Sequence, residues 1–117
     1  MVNPKFQLFK DSADEFRFRL LAKNGENILR SSEGYTSKQN CKNGIESVKV
    51  NSQLDERYSR LESKNNQYYF ILNAANGEEL GISEMYTSKQ GMENGIDAVK
   101  RDAPNAPTED LTLRATS

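Results

Sequence analysis

The residues FRFRLLAKNGE at positions 16–26 and YYFILNAANGE at 68–78 decide the fold, because 6 of 11 positions agree at an offset of 52. After one inserted residue the offset becomes 51, and YTSKQ at 35–39 recurs unchanged at 86–90. Extended to Val50 and Arg101, this second block keeps 10 of 16 positions. Two blocks in one order with matched spacing mean an internal duplication. The repeats cover residues 6–51 and 58–102, with the polar linker Asn51–Arg57 between them and residues 103–117 after them.

Within each repeat the apolar positions alternate. Phe16, Phe18, Leu20 and Ala22 are interleaved with Arg17, Arg19 and Lys23, and Tyr68, Phe70, Leu72 and Ala74 repeat the pattern. Period two predicts strands with one buried face over 16–22 and 68–74. Asn24-Gly25 and Asn76-Gly77 then predict type I′ hairpin turns into second strands at 28–31 and 80–83. Earlier strands at 6–10 and 58–62 complete a three-stranded meander in each copy. The extra residue near Ser32 predicts a bulge in the first copy alone, since an unabsorbed insertion would turn every later side chain to the other face.

Helices are predicted to begin at Thr36 and Thr87, where Thr followed three residues on by Gln matches a capping box. Cys41, Gly44, Ile45 and Val48 fall on one face, as do Met92, Gly95, Ile96 and Val99. Cys41 reads as core, since its counterpart is Met92. Gly44 and Gly95 need a reason inside a helix, and a close approach of that face to the sheet or the other helix supplies one. The competing reading ends the helix at Asn43-Gly44 and leaves the Ile45–Val48 stripe outside it.

The order of F-R-F-x-L-x-A-x-N-G-E, Y-T-S-K and N-G-I-x-S-V-K, met twice between Phe6 and Asp102, resembles the bacterial YegP-like family of small uncharacterised proteins. That resemblance implies tandem units with one continuous sheet, the final strand of each unit exchanged toward the other, and dimers among single-copy members. On this basis residues 1–117 form a single α+β domain. It is a tandem duplication of a β3-α-β unit, with one continuous antiparallel sheet, two helices on one face and a short last strand at Leu111–Arg114. The whole is a fused pseudo-dimer, expected to be a monomer. Most of residues 103–117, with Pro104 and Pro107, otherwise reads as a frayed tail.

Composition narrows the function. With 16 basic and 17 acidic side chains, the net charge of -1 argues against a polybasic nucleic-acid binder. Without histidine, no Ser-His-Asp or Cys-His arrangement exists, and the lone Cys41 permits neither an intrachain disulfide nor a thiolate zinc cluster. No catalytic or metal residues and no cofactor are expected. The reading is a cytoplasmic, non-catalytic binding module of unknown function, away from membranes, whose partner the residues do not identify.

Two candidate surfaces follow. Thr36, Ser37 and Lys38, with Thr87, Ser88 and Lys89, could bind an anion at the helix starts, where free amides and the helix dipole favour negative charge. The plainer explanation is capping plus local ion pairs with Glu33 and Glu84. The sheet face away from the helices would carry Phe9, Arg17, Arg19, Tyr69 and Ile71. Such a mixture can stack single-stranded bases or meet a protein partner, though the net charge disfavours nucleic acid. Charge is unevenly divided: residues 1–51 hold 9 basic and 6 acidic side chains and residues 52–102 hold 6 and 9.

Overall fold

In the computed structural model, which describes residues 3–113, the alternating segments are strands in both repeats. The first repeat is β1 (Lys5–Lys10), β2 (Phe16–Leu21), β3 (Asn27–Ser31) and α1 (Lys38–Asn51). The second is β4 (Tyr58–Glu62), β5 (Tyr68–Asn73), β6 (Glu79–Ile82) and α2 (Lys89–Asp102), followed by a short strand β7 (Thr108–Asp110). They form one seven-stranded sheet in the order β4-β5-β6-β3-β2-β1-β7. Phe6, Leu8, Phe18, Leu20, Phe70 and Leu72 point to one face and are fully buried under Cys41, Ile45 and Val48 of α1 and Met92, Ile96 and Val99 of α2. The apolar stripes of the sequence are therefore the core, and among the described residues the opposite sheet face carries no helix.

The two meanders join where β3 meets β6 antiparallel, with Arg30 opposite Ile82 and Ser31 opposite Gly81. Arg30 and Ile82 are equivalent residues of the two repeats, so a pseudo-two-fold axis passes between them. Residues 29 and 81 are equivalent too and crowd this axis on the helix side. Leu29 fills the space, and a Cβ on Gly81 would lie 2.8 Å from its Cγ and 3.1 Å from the Arg30 carbonyl. A bulky residue in one copy thus requires a missing side chain in the other.

The sheet is mixed, which corrects the expectation of antiparallel pairing throughout: β7 runs parallel to β1, with Leu8 opposite Asp110. The last strand lies at 108–110 and not at Leu111–Arg114. Leu111 and Thr112 form a turn in which Thr112 donates to Asp110, and Arg114 lies outside the described residues. Residues 103–110 are consequently no frayed tail. Only the second repeat sends a strand to the other, because the chain leaving α1 runs through a tight turn at Asp55–Arg57 straight into β4.

The hairpin turns also differ from the type I′ expectation. Only Gly25 (φ 84°) and Gly77 (φ 89°) have positive φ there. Gly25 N–H donates to Ala22 and Ala22 N–H to Glu26, a three-residue loop, with the same pattern at 74–78. The Asn side chains instead accept from the Glu26 and Glu78 amides, a bond that the type I geometry followed by a left-handed glycine permits. No bulge stands at Ser32. The ladder slips where Leu20 pairs Leu29 and Leu21 pairs Asn27, and again where Leu72 pairs Gly81 and Asn73 pairs Glu79, so both copies share one bulge. The inserted residue is absorbed in the loop before Tyr35, where no continuous ladder constrains register.

Both helices start two residues later than expected. Ser37 and Ser88 are the caps and accept from Asn40 and Gly91 amides, while Gln39 and Gln90 turn forward to Asn43 and Asn94. The helices run through Gly44 and Gly95, which removes the shorter-helix reading. These glycines make room for tyrosine rings: Tyr35 stacks on Phe18 and Tyr86 on Phe70, and a Cβ on Gly44 would meet the Tyr35 hydroxyl at 2.6 Å.

Alanine at an ordinary helical glycine stabilises by up to about 1 kcal/mol. Gly44→Ala is expected to do the reverse, destabilising by roughly 1–3 kcal/mol through overpacking against Tyr35. Urea titration of the variant gives the sign directly. Gly81→Ala should incur a similar penalty in the native background and lose most of it in a Leu29→Ala background. Equal penalties in both would mean that Leu29 is not the obstacle.

Candidate functional site

The two helix starts lie at opposite edges of the sheet and differ there. Lys38 is half-buried and its ammonium lies 2.9 Å from the Asp110 carboxylate on β7. Thr36 is exposed beside it, while the Ser37 hydroxyl is occupied as a cap. Thr87, Ser88 and Lys89 are all exposed, and among the described residues no carboxylate lies within ion-pair distance of Lys89. The local ion pairs expected from Glu33 and Glu84 do not form, since Glu84 meets Arg30 at 3.2 Å. Asp110 is the residue that sequence reasoning missed; it sits in the segment read as tail, with no periodicity to reveal it.

The Asp110 carboxyl is drawn down to about 2. Burial works against this shift, and the Thr112 hydroxyl, Lys38 and the Thr112 amide outweigh it. Burial pushes the Tyr35 hydroxyl up to about 12 and the Cys41 thiol up to about 11. These groups are held in single charge states around neutrality, opposite to the tuning toward 7 that general acid–base chemistry uses. Among the described residues no group of three or more Cys, Asp or Glu side chains is arranged to hold a metal ion.

The open sheet face gathers the remaining candidates. Cross-strand pairing aligns Gln7, Arg19, Arg30, Ile82, Ile71 and Ser59 in one row across six strands. Phe9 pairs with Arg17 and Leu61 with Tyr69 in flanking positions. Phe9, Arg17 and Arg19 come together on the first repeat, and Tyr69 and Ile71 on the second, with two strands between the groups. The Arg19 guanidinium lies 4.7 Å from the centre of the Phe9 ring and donates to Gln7, and Arg17 is held by Asp11 at 2.5 Å. Three arginines gather on one half of the face, two of them paired with carboxylates, and apolar side chains on the other. Arg30 and Ile82 were not singled out from the sequence, although their equivalence in the two repeats marks them.

Comparison with known proteins fits this architecture. The family model described as Domain of unknown function (DUF1508) matches twice, over residues 11–59 and 63–110. The chain belongs to the DUF1508 family. It is 45% identical over 107 residues to the UPF0339 protein YegP of Escherichia coli, spanning 92% of this chain and 96% of that one. It is 48% identical over 105 residues to a UPF0339 protein of Bordetella pertussis, spanning 90% and 94%. The solution NMR structure of a UPF0339 protein from Shewanella oneidensis superposes with a TM-score of 0.87 at 44% identity, covering 92% of this chain and 91% of that one. The E. coli YegP solution structure, described as a protein of unknown function, gives 0.87 at 42% identity and covers 95% of each. The expected resemblance and its duplicated α+β fold are thereby established, and the family carries no assigned function. No helix among the described residues is long and apolar enough to cross a membrane.

Because Asp110 has a lowered folded-state pKa, its contribution is complete above its unfolded value near 4 and disappears as pH falls toward about 2. Asp110→Asn at neutral pH is expected to imitate that acid state. It should lower stability by about 1 kcal/mol and raise amide exchange at Phe6 and Leu111, which bridge β1 to the 107–111 segment. Unchanged exchange at those amides would contradict the role given to the Lys38 pair.

Proposed function

We propose that this chain is a non-catalytic, cytoplasmic interaction module, monomeric in its fused form, that binds a protein partner through the open face of its sheet. The observation that carries this reading is the cross-strand row from Gln7 to Ser59 with its flanking positions, where Arg17, Arg19 and Arg30 lie on one half and Ile82, Ile71 and Tyr69 on the other. Apolar and aromatic groups beside arginine are the composition of protein-binding surfaces. The alternative, single-stranded nucleic acid, is weakened because Arg17 and Arg30 already hold Asp11 and Glu84 and Arg19 is stacked on Phe9. Phosphate binding would have to displace those partners. No cofactor enters this reading.

A photo-crosslinking residue in place of Tyr69 is expected to give discrete protein adducts in cells that Ile71→Ser suppresses. The same residue at Val50, exposed on α1, should give none. Fluorescent single-stranded oligonucleotide should remain unbound at about 50 mM and about 200 mM salt, a range over which phosphate-driven binding changes steeply. Oligonucleotide binding that weakens over this range, or equal adducts at both positions, would overturn the proposal.

A further inference from the structure

We propose that the free edge of β4 takes up an extended acidic segment of another protein as an eighth strand, parallel to β4, with a carboxylate reaching Lys89. This edge adjoins the open face at Leu61 but presents backbone and the helix-side Lys89 instead of the cross-strand row, and the fold holds its own precedent for such docking. β1 and β4 are equivalent strands, and β7 lies on the outer edge of β1. There Phe6 N–H donates to Pro107 at 2.8 Å, Leu111 N–H donates to Leu8 at 2.8 Å, and Asp110, opposite Leu8, meets Lys38. Among the described residues no strand lies outside β4.

The groups available on β4 follow from parity. Ser63 N–H turns inward to Gln67 on the β5 side, so Tyr58, Arg60 and Glu62 direct their amides and carbonyls outward. The Tyr58 N–H is already taken by the Asp55 carbonyl. With β4 at the end of the sheet, the Tyr58 carbonyl and both backbone groups of Arg60 face no neighbouring strand among the described residues. Edge strands are commonly blunted by a protruding charge. Here the Arg60 side chain is drawn back toward α2 by Glu93 at 2.6 Å and to Asp55 at 2.9 Å, which neutralises it and leaves the backbone accessible. Beside it runs a cleft of about 320 Å³ bounded by Leu61, Tyr68, Met92 and Lys89 and by the carboxylates Glu62 and Glu93, of which Glu93 is engaged by Arg60.

Charge selects the occupant. Lys38 and Lys89 are equivalent, yet among the described residues only Lys38 has a carboxylate within ion-pair distance; the Lys89 ammonium lies 6.0 Å from the centre of the Tyr68 ring. A segment in the β7 register would place an acidic residue opposite Arg60, within the same reach of Lys89 that Asp110 has of Lys38. The chain's own β7 is committed to β1, and so is that of a second copy, which favours a strand from a different protein. Main-chain bonds would supply affinity and the carboxylate specificity.

The probe is an acetylated, amidated peptide of residues 106–113, titrated into the isotopically labelled full chain. Saturable amide shifts at Ser59–Glu62 and Lys89 are expected. Binding should weaken about three-fold with Lys89→Gln, or with asparagine at the peptide position of Asp110, in keeping with an exposed ion pair. It should disappear when the peptide nitrogens at the Glu109 and Leu111 positions are methylated, a change that leaves the protein untouched. Any of three results would overturn the proposal: no shifts up to about 1 mM peptide, shifts confined to Lys5–Lys10 as β7 is displaced, or concentration-dependent shifts of β4 without peptide, which would make a second copy the occupant.

Discussion

Everything in this molecule depends on the two residue pairs that join β3 to β6. Each repeat alone is a three-stranded meander with one helix, and its inner edge strand would be left open. Pairing Arg30 with Ile82 and Ser31 with Gly81 joins the two meanders into one sheet and lets the core beneath it become continuous. The approach is possible on the helix side because Gly81 has no side chain where Leu29 needs the room. A symmetric dimer of identical units would present the same residue twice at this axis. Fusion of the copies in one chain removes that restriction, and the pair has diverged into one large and one absent side chain.

The same fusion breaks symmetry at the outer edges. After α1 the chain must become β4, so the first repeat has no residues left for a terminal strand of its own. After α2 it is free to cross and lie on β1. One edge is therefore closed by β7 with the Lys38–Asp110 pair, while at the other no strand pairs with β4 and no carboxylate meets Lys89 among the described residues.

The residues that could be read in advance were those whose burial follows a local period. Phe18 and Leu20, with Phe70 and Leu72, alternate in strands, and Ile45 and Val48, with Ile96 and Val99, fall on one helical face; all are buried as that spacing requires. Turn type was less legible, because Asn-Gly satisfies both a two-residue type I′ loop and a three-residue loop with a left-handed glycine, and the two differ only in the strand register beside them. The candidate arginines and aromatics were legible as an open face, but their partners were not. Arg17 finds Asp11 in its own hairpin and Arg30 finds Glu84 in the other repeat, 54 residues away.

By itself the sequence determined the duplication, the order of elements and the two buried stripes, since repetition and periodicity are properties of neighbouring residues. Only the tertiary structure decided which edge is closed, that β7 runs parallel, and that Lys38 and Lys89, identical in local sequence, have different surroundings. Those outcomes depend on where the chain goes after each helix, and a lysine's environment is set by the strand that arrives beside it from about 70 residues away in one case and by none within the described chain in the other.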